Sequence, residues 1–320
     1  MNFDQLPHKG LSYTKVLSLM KQYGVNDASW KKGKTFSLVY HRDDTHTKFL
    51  QKAFELYFDE NGLNPMAFKS LKQFEHEVVK MTAHMLHAGN EACGTMTSGG
   101  TESCLLAVKT YRDMARTQRP WIKKPEMVVP ESIHVAFEKA AEYFGVKIVH
   151  APLDKDFKVD VKAVEKLINR NTILIVGSAP CYPYGVIDPI DLLSQIAIKK
   201  KLPLHVDACL GGFLLPFVEK LGYKLPPFDF RVEGVTSMSA DVHKYGFSAK
   251  GASVIVYRNI NYLRHQFFIY EDWCGGVFAS PALLGTRPGG TIAAAWAAMV
   301  AQGEQGYMHN ANIIMETTQK

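Results

Sequence analysis

Residues 172–208 read TILIVGSAPCYPYGVIDPIDLLSQIAIKKKLPLHVDA. The opening TILIVG (172–177) is a short apolar run with no polar alternation, as in a strand buried on both faces. Residues 189–200 read as a helix, and Lys199, Lys200 and Lys201 gather at its end, where cations suit the negative pole of the helix dipole. Residues 204–206 return to a strand, with Asp207 at its tip. Strand, helix and strand in succession form the unit from which parallel sheets are built.

The same rhythm extends both ways. From residue 94 onward we expect helices at 101–117, 132–144 and 161–168, and strands at 127–130, 146–150, 235–239 and 253–257. The fold class is therefore α/β, a mostly parallel sheet flanked by helices. In such sheets ligands bind beyond the carboxyl ends of the strands. Upstream, Phe49, Leu50, Ala53, Phe54 and Tyr57 have helical spacing, and a helix over 71–87 places Phe74, Val78, Met81 and Met85 on one core-facing stripe. Residues 1–45 are mixed, with Lys31-Lys32-Gly33-Lys34 an exposed turn.

Composition narrows the classes. The chain has 320 residues, 47% hydrophobic and 21% charged, the profile of a globular protein. Its 37 basic and 31 acidic residues give +6 but are interspersed, which argues against a nucleic-acid partner. The five cysteines (93, 104, 181, 209 and 274) are scattered and show no C-x-x-C spacing, so neither a disulfide framework nor a metal site is expected. No run of 18 apolar residues predicts a transmembrane segment, and the start lacks a signal-peptide profile. A cytoplasmic location follows by elimination.

Three motifs carry chemistry. Thr97-Ser98-Gly99-Gly100-Thr101-Glu102-Ser103 runs into a helix. Its glycines permit close backbone approach, and its free N–H groups suit a phosphate, though an ordinary helix cap reads the same way. Asp207 ends a buried strand, where a carboxylate needs a partner such as a protonated ring nitrogen; a plain cap or loop carboxylate is the alternative. In Ser237-Met238-Ser239-Ala240-Asp241-Val242-His243-Lys244-Tyr245-Gly246, Lys244 follows a strand. It is either a nucleophile with a depressed pKa or a surface lysine. Phosphate cradle, strand-end aspartate and loop lysine, in that order, are the contacts that pyridoxal 5′-phosphate (PLP) requires.

Four stretches carry a resemblance: TSGGTESCLLAVKTYRDMAR (97–116), PLHVDACLGGFLLPF (203–217), FDFRVEGVTSMSADVHKYGFSAKGAS (228–253) and DWCGGVFASPALLGTRPGGTIAAAWAA (272–298). Over about residues 35–310 the chain resembles the sphingosine-1-phosphate lyases, within the group II decarboxylase branch of PLP enzymes. The resemblance implies a fold-type-I transferase large domain. It implies that Lys244 bonds the cofactor aldehyde, that Asp207 pairs with the ring nitrogen and that His134 stacks on the ring. Gly100 and Thr101, helped by Ser239 and His243, would hold the cofactor phosphate. Gly289 and Gly290, with no evident partner in their own chain, would reach the cofactor of a second subunit in a homodimer. Tyr40, Asn64 and Lys250 match positions that bind a substrate phosphate or assist proton transfer, with Lys250 close to Lys244 across the cleft mouth.

The implied reaction is carbon–carbon cleavage of a phosphorylated long-chain amino alcohol to phosphoethanolamine and a fatty aldehyde. The alternatives are an amino-acid decarboxylase and an inactive, truncated PLP-fold protein. Two segments depart from the lyase pattern, each losing a histidine: Asn64-Pro65-Met66-Ala67-Phe68-Lys69 and Pro180-Cys181-Tyr182-Pro183-Tyr184-Gly185. The expected organisation is an N-terminal arm (1–62), a large PLP-binding domain (63–290) and the start of an interdomain helix (291–320), with the small C-terminal domain missing.

Overall fold

The computed structural model describes residues 3–320. The chain divides into two compact units, Met1–Tyr40 and His41–Lys320. The first holds helix α1 (Tyr13–Tyr23), whose N-terminus is capped by the Ser12 side chain accepting from the Lys15 N–H. A short 3₁₀ turn follows at Trp30–Lys32, closed by Gly33 at φ 69°. This is the exposed turn expected there.

In the second unit, α2 (Asp44–Glu55) and α3 (Lys69–Met85) precede β1 (Cys93–Thr97). There follow α4 (Gly100–Gln118), β2 (Glu126–Pro130), α5 (Ala136–Phe144), β3 (Lys147–Ala151), α6 (Val161–Leu167), β4 (Thr172–Ser178), α7 (Ile190–Lys200) and β5 (Leu204–Asp207). Then come α8 (Leu215–Lys220), β6 (Val235–Ala240), β7 (Ser253–Tyr257), α9 (Ile260–Leu263), a hairpin of β8 (Phe268–Tyr270) and β9 (Phe278–Ser280), and α10 (Gly289–Thr318).

A seven-stranded sheet runs in the order β1-β7-β6-β5-β4-β2-β3. Strands β6, β5, β4, β2 and β3 are parallel neighbours, while β7 is antiparallel to both β6 and β1. Alternation along β4 explains its unbroken apolar run. Ile175 joins the core shared with α3, α7, α8 and α10, whereas Leu174 and Val176 join the core beneath α4 and α5. Ser178, Asp207 and Ser239 lie side by side at the carboxyl edge of β4, β5 and β6.

Several elements differ from the sequence reading. Helix α5 starts at Ala136 rather than 132, because His134 Nδ1 accepts from the Ala136 N–H at 3.1 Å and ends the preceding turn. Strand β1, CGTMT, has two β-branched threonines but a glycine and no sustained apolar run; it forms because β7 offers it a full antiparallel ladder. The β8–β9 hairpin likewise follows no alternation of apolar and polar residues. Helix α10 breaks its run at Gly303, where φ is 56° and ψ is −178°. Among the described residues, no helix is long and apolar enough to cross a membrane.

Candidate active site

The cleft opens where the parallel strands end. It has a volume of about 350 Å³, and Gly100, Thr101, His134, Asp207, His243 and Lys244 are in its lining. The chain leaves β1, turns at Gly99 (φ 152°, ψ 168°) and enters α4 at Gly100. A side chain at Gly99 is disfavoured by that backbone geometry. At Gly100 an added Cβ would sit 2.7 Å from the Asp241 carboxylate and 2.8 Å from Cys209 Sγ. The first turn of α4 therefore presents bare backbone N–H groups to the cleft, at the positive pole of a 19-residue helix. Glu102 pins this turn: its carboxylate accepts from the Ser98 N–H at 2.6 Å and from the Leu283 N–H at 2.8 Å.

Asp207 is buried, and its Oδ1 accepts from the Cys209 N–H at 3.0 Å and the Ser239 hydroxyl at 3.2 Å. A chain of polar groups stands behind it. The Tyr111 hydroxyl donates to Ser237 Oγ at 2.7 Å, Ser237 Oγ lies 2.8 Å from His205 Nδ1, and His205 Nε2 lies 3.4 Å from Ser239 Oγ. Burial pushes the pKa of His205 down to about 4, so the ring is neutral. One arrangement satisfies every member: Tyr111 gives to Ser237, Ser237 to Nδ1, Nε2–H to Ser239, and Ser239 to Asp207. Each donor reinforces the next toward the carboxylate. His205 lies two residues before Asp207 on the same strand and so on the same face, the one signal in the sequence that links the two.

Lys244 Nζ lies 2.9 Å from Asp241 Oδ2, and His243 Nε2 lies 3.6 Å from the same oxygen. This corrects the expectation of a depressed lysine pKa. Burial does push Lys244 down, but the Asp241 carboxylate, with Cys209 and Asp207 behind it, outweighs burial and holds the amine above the ordinary lysine value. Asp241 is 2% exposed, and its Oδ1 has no hydrogen-bond partner. It was legible only as part of the lysine motif; its role as counter-ion depends on the turn after β6 folding it back beneath Lys244.

Other expected residues are placed as follows. Lys250 Nζ donates to the His243 carbonyl at 2.9 Å and feels the charge of Lys244; burial first, and then Lys244, lower its pKa. Ser239 does not line the cleft: it is fully buried, and its hydroxyl serves Asp207 rather than a phosphate. Asn64 lines a separate pocket with His76 and Arg287, and its Oδ1 accepts from the Met66 N–H at 2.9 Å. Gly289 and Gly290 do have partners in their own chain. A Cβ at Gly289 would meet the Glu60 carbonyl at 2.5 Å, and one at Gly290 would meet the Phe54 ring at 2.8 Å. Tyr40 belongs to the other compact unit.

This donor set fits PLP. The cofactor needs an amine, an anion for its pyridinium, a phosphate seat and space for a ring. The cleft supplies Lys244, Asp207, the glycine start of α4 at Gly100 and a cavity of about 350 Å³. The residues that would hold the group are Lys244, Asp207, His134, Gly100, Thr101 and His243.

The comparisons agree. The pyridoxal-dependent decarboxylase conserved domain matches residues 53–320. The rat sphingosine-1-phosphate lyase 1 is 50% identical over 313 residues, 98% of this chain and 55% of its own length. The chain thus spans about half the length of the curated lyases it matches. A solved sphingosine-1-phosphate lyase from Burkholderia pseudomallei superposes with a TM-score of 0.95 at 43% identity, covering 99% of this chain and 74% of that one. A probable L-aspartate decarboxylase from Pyrococcus furiosus is 38% identical over 95% of this chain and 80% of its own. The chain belongs to the pyridoxal-dependent decarboxylase family, whose cofactor is PLP.

Proposed function

We propose that this chain is the large-domain part of a PLP-dependent lyase that cleaves a phosphorylated long-chain amino alcohol, of the sphingosine-1-phosphate type, to phosphoethanolamine and a fatty aldehyde. The observation that carries the reading is one cleft holding Lys244, Asp207 and the bare start of α4 in a chain half identical to the rat lyase. When bound, PLP supplies an electron sink for the pair released as a bond to the amine-bearing carbon breaks.

The chain's own residues do the rest. Asp241 Oδ2, 2.9 Å from Lys244 Nζ, holds and orients the ammonium in the cleft, and Lys244 must lose that proton before its amine can bond a carbonyl. Asp207, backed by Ser239 and the Cys209 N–H, would be the carboxylate partner of the ring nitrogen. His134, at the start of α5, offers its ring as a stacking face. The N–H groups of Gly100 and Thr101, with His243, would seat the cofactor phosphate. Lys250 lies beside the Lys244 loop and suits a substrate phosphate. Tyr40 and Asn64 are assigned to substrate binding on the resemblance alone. We place the protein in the cytosol as a homodimer, in which the exposed 268–284 region supplies the contact.

Mass spectrometry of the products tests this reading. Phosphorylated sphingoid bases should give phosphoethanolamine and an aldehyde, and a panel of amino acids should give no carbon dioxide. The second reading, an amino-acid decarboxylase, is favoured by the archaeal relative, and the opposite product pattern would establish it.

A further inference from the structure

Beneath the cofactor cleft lie two thiols that the proposed reaction does not use. Cys104 stands on the first turns of α4, and Cys209 lies two residues beyond Asp207. One ligand atom from each of Cys104, Asp207 and Cys209 lies within 4.8 Å of the other two, and all three residues are buried. All three line the cleft, so a small ion has a path to them. Two buried cysteines are ordinarily small hydrophobes. Here a carboxylate oxygen lies within 4.8 Å of both sulfurs, and Gly100 packs so closely on Cys209 that an added Cβ would sit 2.8 Å from its Sγ.

We propose that Cys104, Asp207 and Cys209 form a site for one thiophilic divalent cation of the zinc class, and that this cation and the cofactor exclude each other. The exclusion rests on the PLP reading given above; the cation site does not. Ligands about 2.0–2.3 Å from a tetrahedral ion stand about 3.3–3.8 Å apart, so modest side-chain rotation closes the set. The fourth position faces the cleft, where water completes the coordination. Binding replaces two thiol protons with one dication. The site therefore keeps the single negative charge of Asp207, and no net charge is added to a buried place. Two sulfur ligands favour zinc or cadmium over magnesium or calcium. A dication on Asp207 would neutralise the carboxylate and repel the protonated ring nitrogen that it otherwise pairs with, and this makes the two occupants exclusive.

The test uses the chain freed of PLP and titrated with Cd²⁺ alone, followed by the ultraviolet Cd–thiolate band, with Zn²⁺ as competitor. One equivalent should bind with release of protons. Cys104→Ser and Asp207→Asn should each weaken binding about tenfold or more, and Cys274→Ser at the surface should leave it unchanged. Saturation with PLP, measured separately by its visible absorbance, should suppress the cadmium band. Cadmium binding that survives intact in Cys104→Ser, or in Asp207→Asn should the serine variant not fold, would overturn the site. Equal binding in PLP-loaded protein would overturn the exclusion. If the band forms but PLP never loads, the cation site stands and the cofactor reading fails.

Discussion

Lys244 meets Asp241 at 2.9 Å inside a cleft that also holds Asp207. Breaking a buried pair by removing one member strands the other charge. In cofactor-free protein, Lys244→Met should therefore lower stability by about 3 kcal/mol, at the low end for buried pairs because the lysine is partly exposed. Adding Asp241→Asn should restore most of that loss, as read from urea midpoints; a neutral single variant would show that the pair contributes nothing. Borohydride reduction of the PLP-loaded chain should place the pyridoxyl group on Lys244. Recovery on Lys250 would reassign the bond. The lysine motif was legible because it follows a strand at the correct edge. Asp241 was not, because a carboxylate three residues before a lysine gains its meaning only when the turn folds back.

His205 illustrates the same limit at longer range. Its period-2 relation to Asp207 lies within one strand, but its partners Ser237 and Ser239 come from β6, and Tyr111, which donates to Ser237, comes from α4. His205→Leu should keep the fold and weaken PLP binding about tenfold, the scale of one hydrogen bond in a network ending on a charge. Unchanged affinity, measured by cofactor absorbance, would remove the relay from the mechanism.

At the scale of elements, two buried groups give opposing pH effects. Asp188 ties the end of β4 to the segment before α6, its carboxylate accepting from the Ser178 N–H at 2.8 Å and the Val159 N–H at 3.0 Å. Burial outweighs those bonds and raises its pKa to about 6. The folded state then holds the proton more tightly than the unfolded one, so this group's contribution to stability falls as pH rises from about 4 to 6. His205 on β5 has its pKa lowered to about 4, so its contribution rises with pH from about 4 to 6.5. The two slopes overlap and largely cancel. Asp188→Asn should uncover the histidine slope: urea midpoints that climb more steeply with pH across this window than in the parent chain. An unchanged slope would mean that Asp188 titrates normally. The strands and helices that frame these residues were readable wherever a local pattern was strong, as in TILIVG. Strand β1 and the β8–β9 hairpin were not, since β1 depends on a ladder with β7, some 160 residues away, and the hairpin on pairing between its own two short arms.

For the whole molecule, the question is what covers the apolar surface around the β8–β9 hairpin. Phe268, Ile269 and Tyr270 on β8, Trp273 and Val277 in the turn, and Leu283 and Leu284 beyond it are all exposed. So many large apolar side chains exposed within one short segment suit an interaction surface. The patch is tied to the active site, because the Leu283 N–H donates to Glu102, the residue that also holds the Ser98 N–H before the phosphate seat. A second copy of the chain is the occupant that symmetry favours. Burial of the patch would then fix the 281–285 loop, and through Glu102 the start of α4. Sedimentation at micromolar concentration should show a dimer. Ile269→Glu together with Trp273→Glu should give a monomer that binds PLP more weakly. A parent chain that sediments as a monomer with PLP bound would remove the dimer. A monomeric variant that retained full PLP affinity would sever the link between interface and phosphate seat.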